Sequence, residues 1–139
     1  MRRNPSGFTL VELMVVVTIL SILATLTFTY VLPKIEEAKV ATARTQIADL
    51  EGAVQSFQMR NGGRLPESLE ILSEKDANGV PYIKALPLDP WHNAYIFTQD
   101  PNGILFRIGT LGRDGQPGGE GFNADFDNQS MAEAEAKKG

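Results

Sequence analysis

Apolar residues fill the first part of the chain almost without a break: from Leu13 to Leu32, LMVVVTILSILATLTFTYVL, twenty residues carry no charge. A helix rising about 1.5 Å per residue crosses a hydrocarbon core of about 30 Å with roughly that many residues, so the run predicts a membrane span. Beyond it the pattern changes. Ile47, Leu50, Val54 and Phe57 recur at spacings of three and four, which put them on one helical face, while Glu36, Glu37, Lys39, Arg44 and Glu51 lie largely elsewhere. Asn61-Gly62-Gly63 supplies a stop signal. The spacing predicts one helix from about Phe8 to about Arg60, about 80 Å long, interrupted at Pro33, where proline removes a helical hydrogen bond and crowds the preceding turn.

After the glycines, LPESLEILSE predicts a short helix, with Pro66 in its first turn and Leu69 and Leu72 three apart. A turn-rich loop, DANGVP, follows. Tyr95 to Gln99 and Ile104 to Thr110 predict two strands joined by the turn Asp100-Pro101-Asn102-Gly103. Ile104, Phe106 and Ile108 alternate with Leu105 and Arg107, so one strand face is expected to cover the long helix. The fold class is α+β, a long helix against a small antiparallel sheet. GTLGRDGQPGGEGFNADFDNQ then turns glycine-rich and acidic, and the closing MAEAEAKKG predicts a frayed or disordered polar tail.

At 139 residues, part of them in the apolar run, the chain has room for one small soluble domain. It contains no cysteine, which excludes disulfides, thiolate metal sites and a thiol nucleophile. A net charge of −4 with no clustered basic face argues against nucleic-acid binding. Arg2 and Arg3, directly before the apolar run, keep the amino end in the cytoplasm under the positive-inside rule and put the rest of the chain across the membrane. A cleavable secretory signal has a shorter apolar core of about 7 to 15 residues and a small-residue cleavage site. An uncleaved signal anchor fits better, yet leaves Glu12 unexplained, because a carboxylate in hydrocarbon costs about 2.5 to 3.5 kcal/mol.

The residues MRRNPSG-FTLVEL resemble the type III signal of the type IV pilin and pseudopilin family: a basic leader ending in glycine, an aromatic first mature residue and glutamate at the fifth mature position. The resemblance implies that a prepilin peptidase cuts between Gly7 and Phe8 and methylates the new amino terminus. Glu12 then has a cationic partner, since pairing with a Phe8 ammonium offsets desolvation where solitary burial does not. Pairing between subunits makes Glu12 a register device for assembly. Many family members carry their proline about four residues earlier, at the place held here by Thr29, so the bend the family implies is displaced.

LPLDPWHNAY resembles the LPxDPWGxPY segment of the major pseudopilin (protein G) family of type II secretion systems. His92 and Ala94 replace the commoner glycine and proline, whereas Asp89, Pro90, Trp91, Asn93 and Tyr95 keep to the pattern. Trp91 and Tyr95 are expected to fill the gap between helix and sheet, and Asp89 before Pro90 favours an extended or turn conformation. His92 has no nucleophile, triad partner or metal companion beside it in the sequence, and no catalytic residue is expected.

GTLGRDGQPGGEGFNADFD resembles the glycine-rich calcium loop of the same pseudopilins. The resemblance aligns Asp114 and Asp125 with its acidic pair, and Asn123, Asp127 and the Leu111 carbonyl are candidate further ligands. Calcium takes six to eight oxygen ligands, and glycines let a loop turn its carbonyls inward. The segment is no EF-hand, since Gln116 and Gly118 stand where acidic residues belong. Composition alone is equally compatible with a flexible linker.

Together the three motifs imply a type IV pilin-like fold and a mechanical role, that of the major subunit of a type II secretion pseudopilus, which is not an enzyme. The implied organisation is a cleaved leader (1–7), a transmembrane and assembly half-helix (8–32), a periplasmic domain (33–130) and a polar tail (131–139). The implied partners are further copies of the chain, minor pseudopilins, a prepilin peptidase and an inner-membrane platform with its cytoplasmic ATPase. The subunit spans the inner membrane once before joining a periplasmic filament that drives export across the outer membrane. Two other readings stand beside this one: the major pilin of a type IV surface pilus, and a monomeric signal-anchored periplasmic binding domain.

Overall fold

The computed structural model describes residues 7–76 and 78–137. Arg2 and Arg3, on which the orientation argument rests, lie outside the described residues. The chain divides into two units, 1–36 and 37–139.

In the first unit, helix α1 (Leu10–Leu26) buries none of its residues. A helix apolar all round and uncovered by its own chain needs an apolar surrounding, and α1 opens the stretch long and apolar enough to cross a membrane. The hydroxyls of α1 and of the turn after it are accommodated internally. Thr18, Ser21, Thr25, Thr27 and Thr29 each donate to the carbonyl four residues earlier, at 2.8 to 3.0 Å, so none is left unpaired in an apolar phase.

A single π-helical turn, Thr27–Val31, follows, and helix α2 runs from Leu32 to Arg60. The Leu32 N–H reaches back five residues to the Thr27 carbonyl. Pro33 has no N–H to give, and its ring crowds the carbonyl four residues back, that of Thr29; widening the turn before it relieves that crowding. The irregularity therefore sits one turn before the proline, centred on Thr29, and helical geometry continues through Pro33 itself.

In the second unit, Ala43, Ile47, Leu50, Ala53 and Val54 form the buried stripe of α2. Ile47, Leu50, Ala53 and Val54 pack with Leu69, Leu72, Tyr95 and Ile108, while Phe57, Phe97, Phe106, Phe126 and Met131 close over the edges. Full burial of a side chain the size of Ile47 or Leu72 stabilises by about 1.5 to 3 kcal/mol. The short helix expected after the glycines is only a 3₁₀ turn, Glu70–Ser73. The Leu72 carbonyl accepts from the N–H groups of both Tyr82 and Ile83 at 3.0 Å, so the following loop occupies an acceptor that a longer helix would need.

The sheet has three antiparallel strands in the order β1 (Ile96–Gln99), β2 (Phe106–Thr110), β3 (Phe126–Asp127). Ile96 pairs with Gly109, Gln99 with Phe106, and Thr110 with Phe126. On β2, Ile108 and Thr110 are buried and Phe106 is half-buried, which is the expected inward face. Ile104 does not join it and is 67 % exposed. The Asp100 carboxylate accepts from the N–H groups of Ile104 and Leu105 at 2.7 and 2.8 Å, which holds both residues in the turn. The N–H of Leu105, with Ile104 and Asn102 behind it, keeps the Asp100 carboxyl below its usual range.

Helix α3 (Asn128–Ala136) closes the chain, capped by Asp127, whose carboxylate accepts from the Ser130 N–H at 2.7 Å. It runs across the boundary that composition suggested after residue 130. Met131 packs against the core, so the helix is seated at its first turn.

Candidate functional site

Three places carry the residues singled out by sequence, and the first lies at the start of α1. Gly7 and Phe8 precede the helix in exposed chain without regular secondary structure. Thr9 caps it: the Glu12 N–H donates to the Thr9 hydroxyl at 3.2 Å, and the Glu12 carboxylate accepts from the Thr9 N–H at 2.9 Å and its hydroxyl at 3.0 Å. This is a capping box, in which two otherwise unpaired helix-end groups satisfy each other. Part of the compensation that Glu12 needs thus comes from its own chain. Thr9 is legible in the sequence as the first residue of Thr-x-x-Glu, the spacing of a capping box.

The second place is the turn carrying Asp89, which is 3 % exposed. Its Oδ1 accepts from the N–H groups of Trp91 and Asn93 at 3.0 and 2.8 Å, and its Oδ2 accepts from the Thr110 hydroxyl at 2.6 Å. The main chain closes the same turn, with the Asp89 N–H donating to the Asn93 carbonyl and the His92 N–H to the Asp89 carbonyl, both at 2.9 Å. A buried carboxylate is tolerable only with such donors around it. Tyr95, 7 % exposed, fills the gap between helix and sheet, and its hydroxyl donates to Gln46 Oε1 of α2 at 2.6 Å. Burial, with the charge of Asp89 behind it, raises the Tyr95 phenol far above its ordinary range and keeps it a donor. Pro90 and Trp91 are half-buried. Neither Thr110 nor Gln46 was foreseen, because each lies far along the chain from its partner.

His92 adopts φ of 74°. This left-handed region costs a residue with a side chain about 1 to 2 kcal/mol, and glycine pays no such steric penalty. That explains why glycine is the commoner residue at this point of the motif. Glycine loses more chain entropy on folding, so His92→Gly is expected to raise stability by up to about 1 kcal/mol, read as a higher urea midpoint with unchanged slope. A lower midpoint would show that contacts of the imidazole outweigh the backbone strain.

The third place is the glycine-rich loop between β2 and β3. Asp125 Oδ2 accepts from the Gly118 N–H at 2.8 Å and Asp114 Oδ1 from the Gln116 N–H at 3.1 Å. The Asn123 carbonyl is flanked by two glycines: a Cβ at Gly112 or Gly119 would lie 2.8 or 2.6 Å from its oxygen. Only glycine fits there, and the φ of both, 67° and 86°, also calls for it. Asp127 is engaged elsewhere. It caps α3 and meets Arg107 at 3.5 Å. Among the described residues no three His, Cys, Asp or Glu side chains converge on one point. The oxygen-only donors fit a hard cation in type, with main-chain carbonyls supplementing two carboxylates.

An apolar helix without buried residues in the first unit and, in the second, a helix packed on a small antiparallel sheet define a pilin-like subunit. Residues 30–129 match the family model for type II secretion system protein G, and residues 2–28 match the prokaryotic N-terminal methylation motif. The chain belongs to the type II secretion system protein G family.

It is 39 % identical over 138 residues to the type II secretion system core protein G of Vibrio cholerae, covering 93 % of this chain and 94 % of that one. With the core protein G of Pseudomonas aeruginosa it shares 36 % identity over 137 residues, covering 91 % and 96 %. The crystal structure of the major pseudopilin from the type 2 secretion system of enterohaemorrhagic Escherichia coli superposes with a TM-score of 0.55 at 23 % identity. That match covers 68 % of this chain and 90 % of that one, and establishes the likeness of fold. Family membership makes the chain a structural pseudopilin, and the methylation motif with the apolar helix makes it membrane-anchored.

Proposed function

We propose that the chain, cut between Gly7 and Phe8 and methylated on the new amino group, leaves the inner membrane to polymerise into the shaft of a periplasmic pseudopilus that drives protein export. The observation that carries this reading is α1: every residue of it is exposed, and its one carboxylate lies in the first turn. Such a helix is stable in lipid, and in a filament its neighbours are copies of itself. Glu12 is the register device, pairing with the ammonium of a Phe8. The prepilin peptidase and the inner-membrane platform with its ATPase act from the cytoplasmic side, minor pseudopilins share the filament, and the domain after Leu32 lies in the periplasm.

We infer further that the glycine-rich loop holds calcium, through the carboxylates of Asp114 and Asp125 and the carbonyls of Leu111 and Asn123. Bound there, the ion supplies charge that offsets the repulsion of two carboxylates in a segment with little apolar burial of its own. The chain's contribution is to present the oxygens: Gly112 and Gly119 make room for the Asn123 carbonyl, and the Gly118 N–H orients Asp125.

Processing gives the first test. Intact-mass spectrometry of protein extracted from cells containing a prepilin peptidase is expected to find a chain beginning at a singly methylated Phe8. A chain retaining Met1 through Gly7 in such cells would favour the signal-anchored monomer instead.

A further inference from the structure

The Asp89 turn and the glycine-rich loop meet at Gly112, and both of its main-chain polar groups are held from the turn's side. Its N–H donates to the Thr110 hydroxyl at 3.2 Å, and that hydroxyl donates to Asp89 Oδ2 at 2.6 Å. Its carbonyl accepts from the Asn93 side-chain amide at 3.5 Å. The Asn93 carboxamide oxygen also lies 3.1 Å from where a Cβ on Gly115 would stand, so the amide is lodged against the first bend of the loop. On its other side Gly112 is pressed against the limb that carries the candidate ligand carbonyl: its missing Cβ would lie 2.8 Å from the Asn123 oxygen and 2.9 Å from that of Ala124. A fixed Gly112 therefore fixes the spacing between the two limbs of the loop.

We propose that Asn93 is a positioning residue for the cation loop, transmitting the geometry of the buried Asp89 turn to Gly112 and Gly115 so that the loop's oxygens are spaced for calcium before the ion arrives. The inference rests on the calcium reading above. Asn93 touches no ligand; it acts on the loop's main chain. Its own main chain is held to Asp89 in both directions, by Asn93 N–H to Asp89 Oδ1 at 2.8 Å and Asp89 N–H to the Asn93 carbonyl at 2.9 Å, and these bonds do not depend on the side chain. Truncating the amide thus leaves the turn intact and releases the loop. A loop that must order itself on binding loses affinity by the cost of that ordering.

The test uses the full chain in detergent micelles and calcium chloride as the probe. Isothermal titration of wild type, Asn93→Ala, Asn93→Asp and Gln116→Ala is expected to show calcium binding weakened about tenfold or more by Asn93→Ala and little changed by Gln116→Ala. The Asn93→Asp variant keeps the shape and loses the amide donor to Gly112, and is expected to bind more weakly than wild type despite its added negative charge. Unfolding midpoints in chelator separate positioning from general damage: those of wild type and Asn93→Ala are expected to agree within a few degrees. Amide hydrogen exchange in chelator is expected to be faster from Gly112 to Asn123 in Asn93→Ala. Wild-type affinity in Asn93→Ala overturns the positioning role and leaves the calcium reading standing. Absence of calcium binding by wild type overturns both.

Discussion

Asp89→Ala is expected to be the most damaging single substitution in the soluble domain, lowering stability by about 3 to 4 kcal/mol. The change removes the acceptor for the Thr110 hydroxyl and for the N–H groups of Trp91 and Asn93 at a site that is 3 % exposed. Hydrogen bonds to a charged group contribute about 1.5 to 3 kcal/mol each, and a buried donor left unpaired costs about 1 to 3. The terms overlap, since water can enter the space the carboxylate leaves. For a domain of about 100 residues the loss corresponds to a fall in melting temperature of about 15 °C or more. Thr110→Val should show part of the same loss, because it withholds the one hydroxyl donor while preserving shape. Thermal unfolding followed by circular dichroism measures both variants. A shift under about 3 °C for Asp89→Ala would mean that the turn is held by its main-chain bonds alone.

Glu12→Ala should leave folding of the domain and membrane insertion intact and reduce filament yield about tenfold or more. Insertion is helped by removing a carboxylate from an apolar helix. Assembly is impaired because the Phe8 ammonium then enters the filament without its proposed partner, and about 1.4 kcal/mol per contact suffices for a tenfold change in a binding constant. The capping box adds a second consequence, since Glu12 also holds the Thr9 N–H and hydroxyl. Glu12→Gln separates the two, as its amide oxygen can still accept from Thr9 but carries no charge. Charge pairing requires that the glutamine variant fail as alanine does; a local cap requires that it assemble. Sheared filaments quantified by immunoblot at matched membrane levels give the comparison.

The parts of this fold legible in the sequence are those written in repeating patterns. Ile47, Leu50 and Val54 recur at helical spacing and lie in the buried stripe of α2; alternation on β2 located Ile108. Parts shaped by single distant contacts were not legible. The helix expected near Leu69 is cut to one turn where Tyr82 and Ile83 take the Leu72 carbonyl, and Ile104 is held in a turn by the Asp100 side chain. Strand β3 is two residues, too short for any period to register, and emerges from a loop whose glycines masked it. The same division runs through the sites. Thr9 and Glu12 satisfy each other three residues apart and form a readable motif, whereas Thr110 reaches Asp89 across 21 positions. His92 could be seen to break the family's pattern, but why glycine is usual there became physical only with its left-handed φ.

Imaging decides whether this pseudopilin works as a polymer built through α1. Electron cryomicroscopy of filaments sheared from cells that express the chain with its secretion machinery would show where Phe8 and Glu12 lie. The expected result is a helical filament with α1 packed at its centre, each subunit beginning at methylated Phe8 and each Glu12 within ion-pairing distance of a Phe8 amino group. Filaments without copies of this chain, with the chain remaining in the inner membrane as an unprocessed monomer, would contradict it.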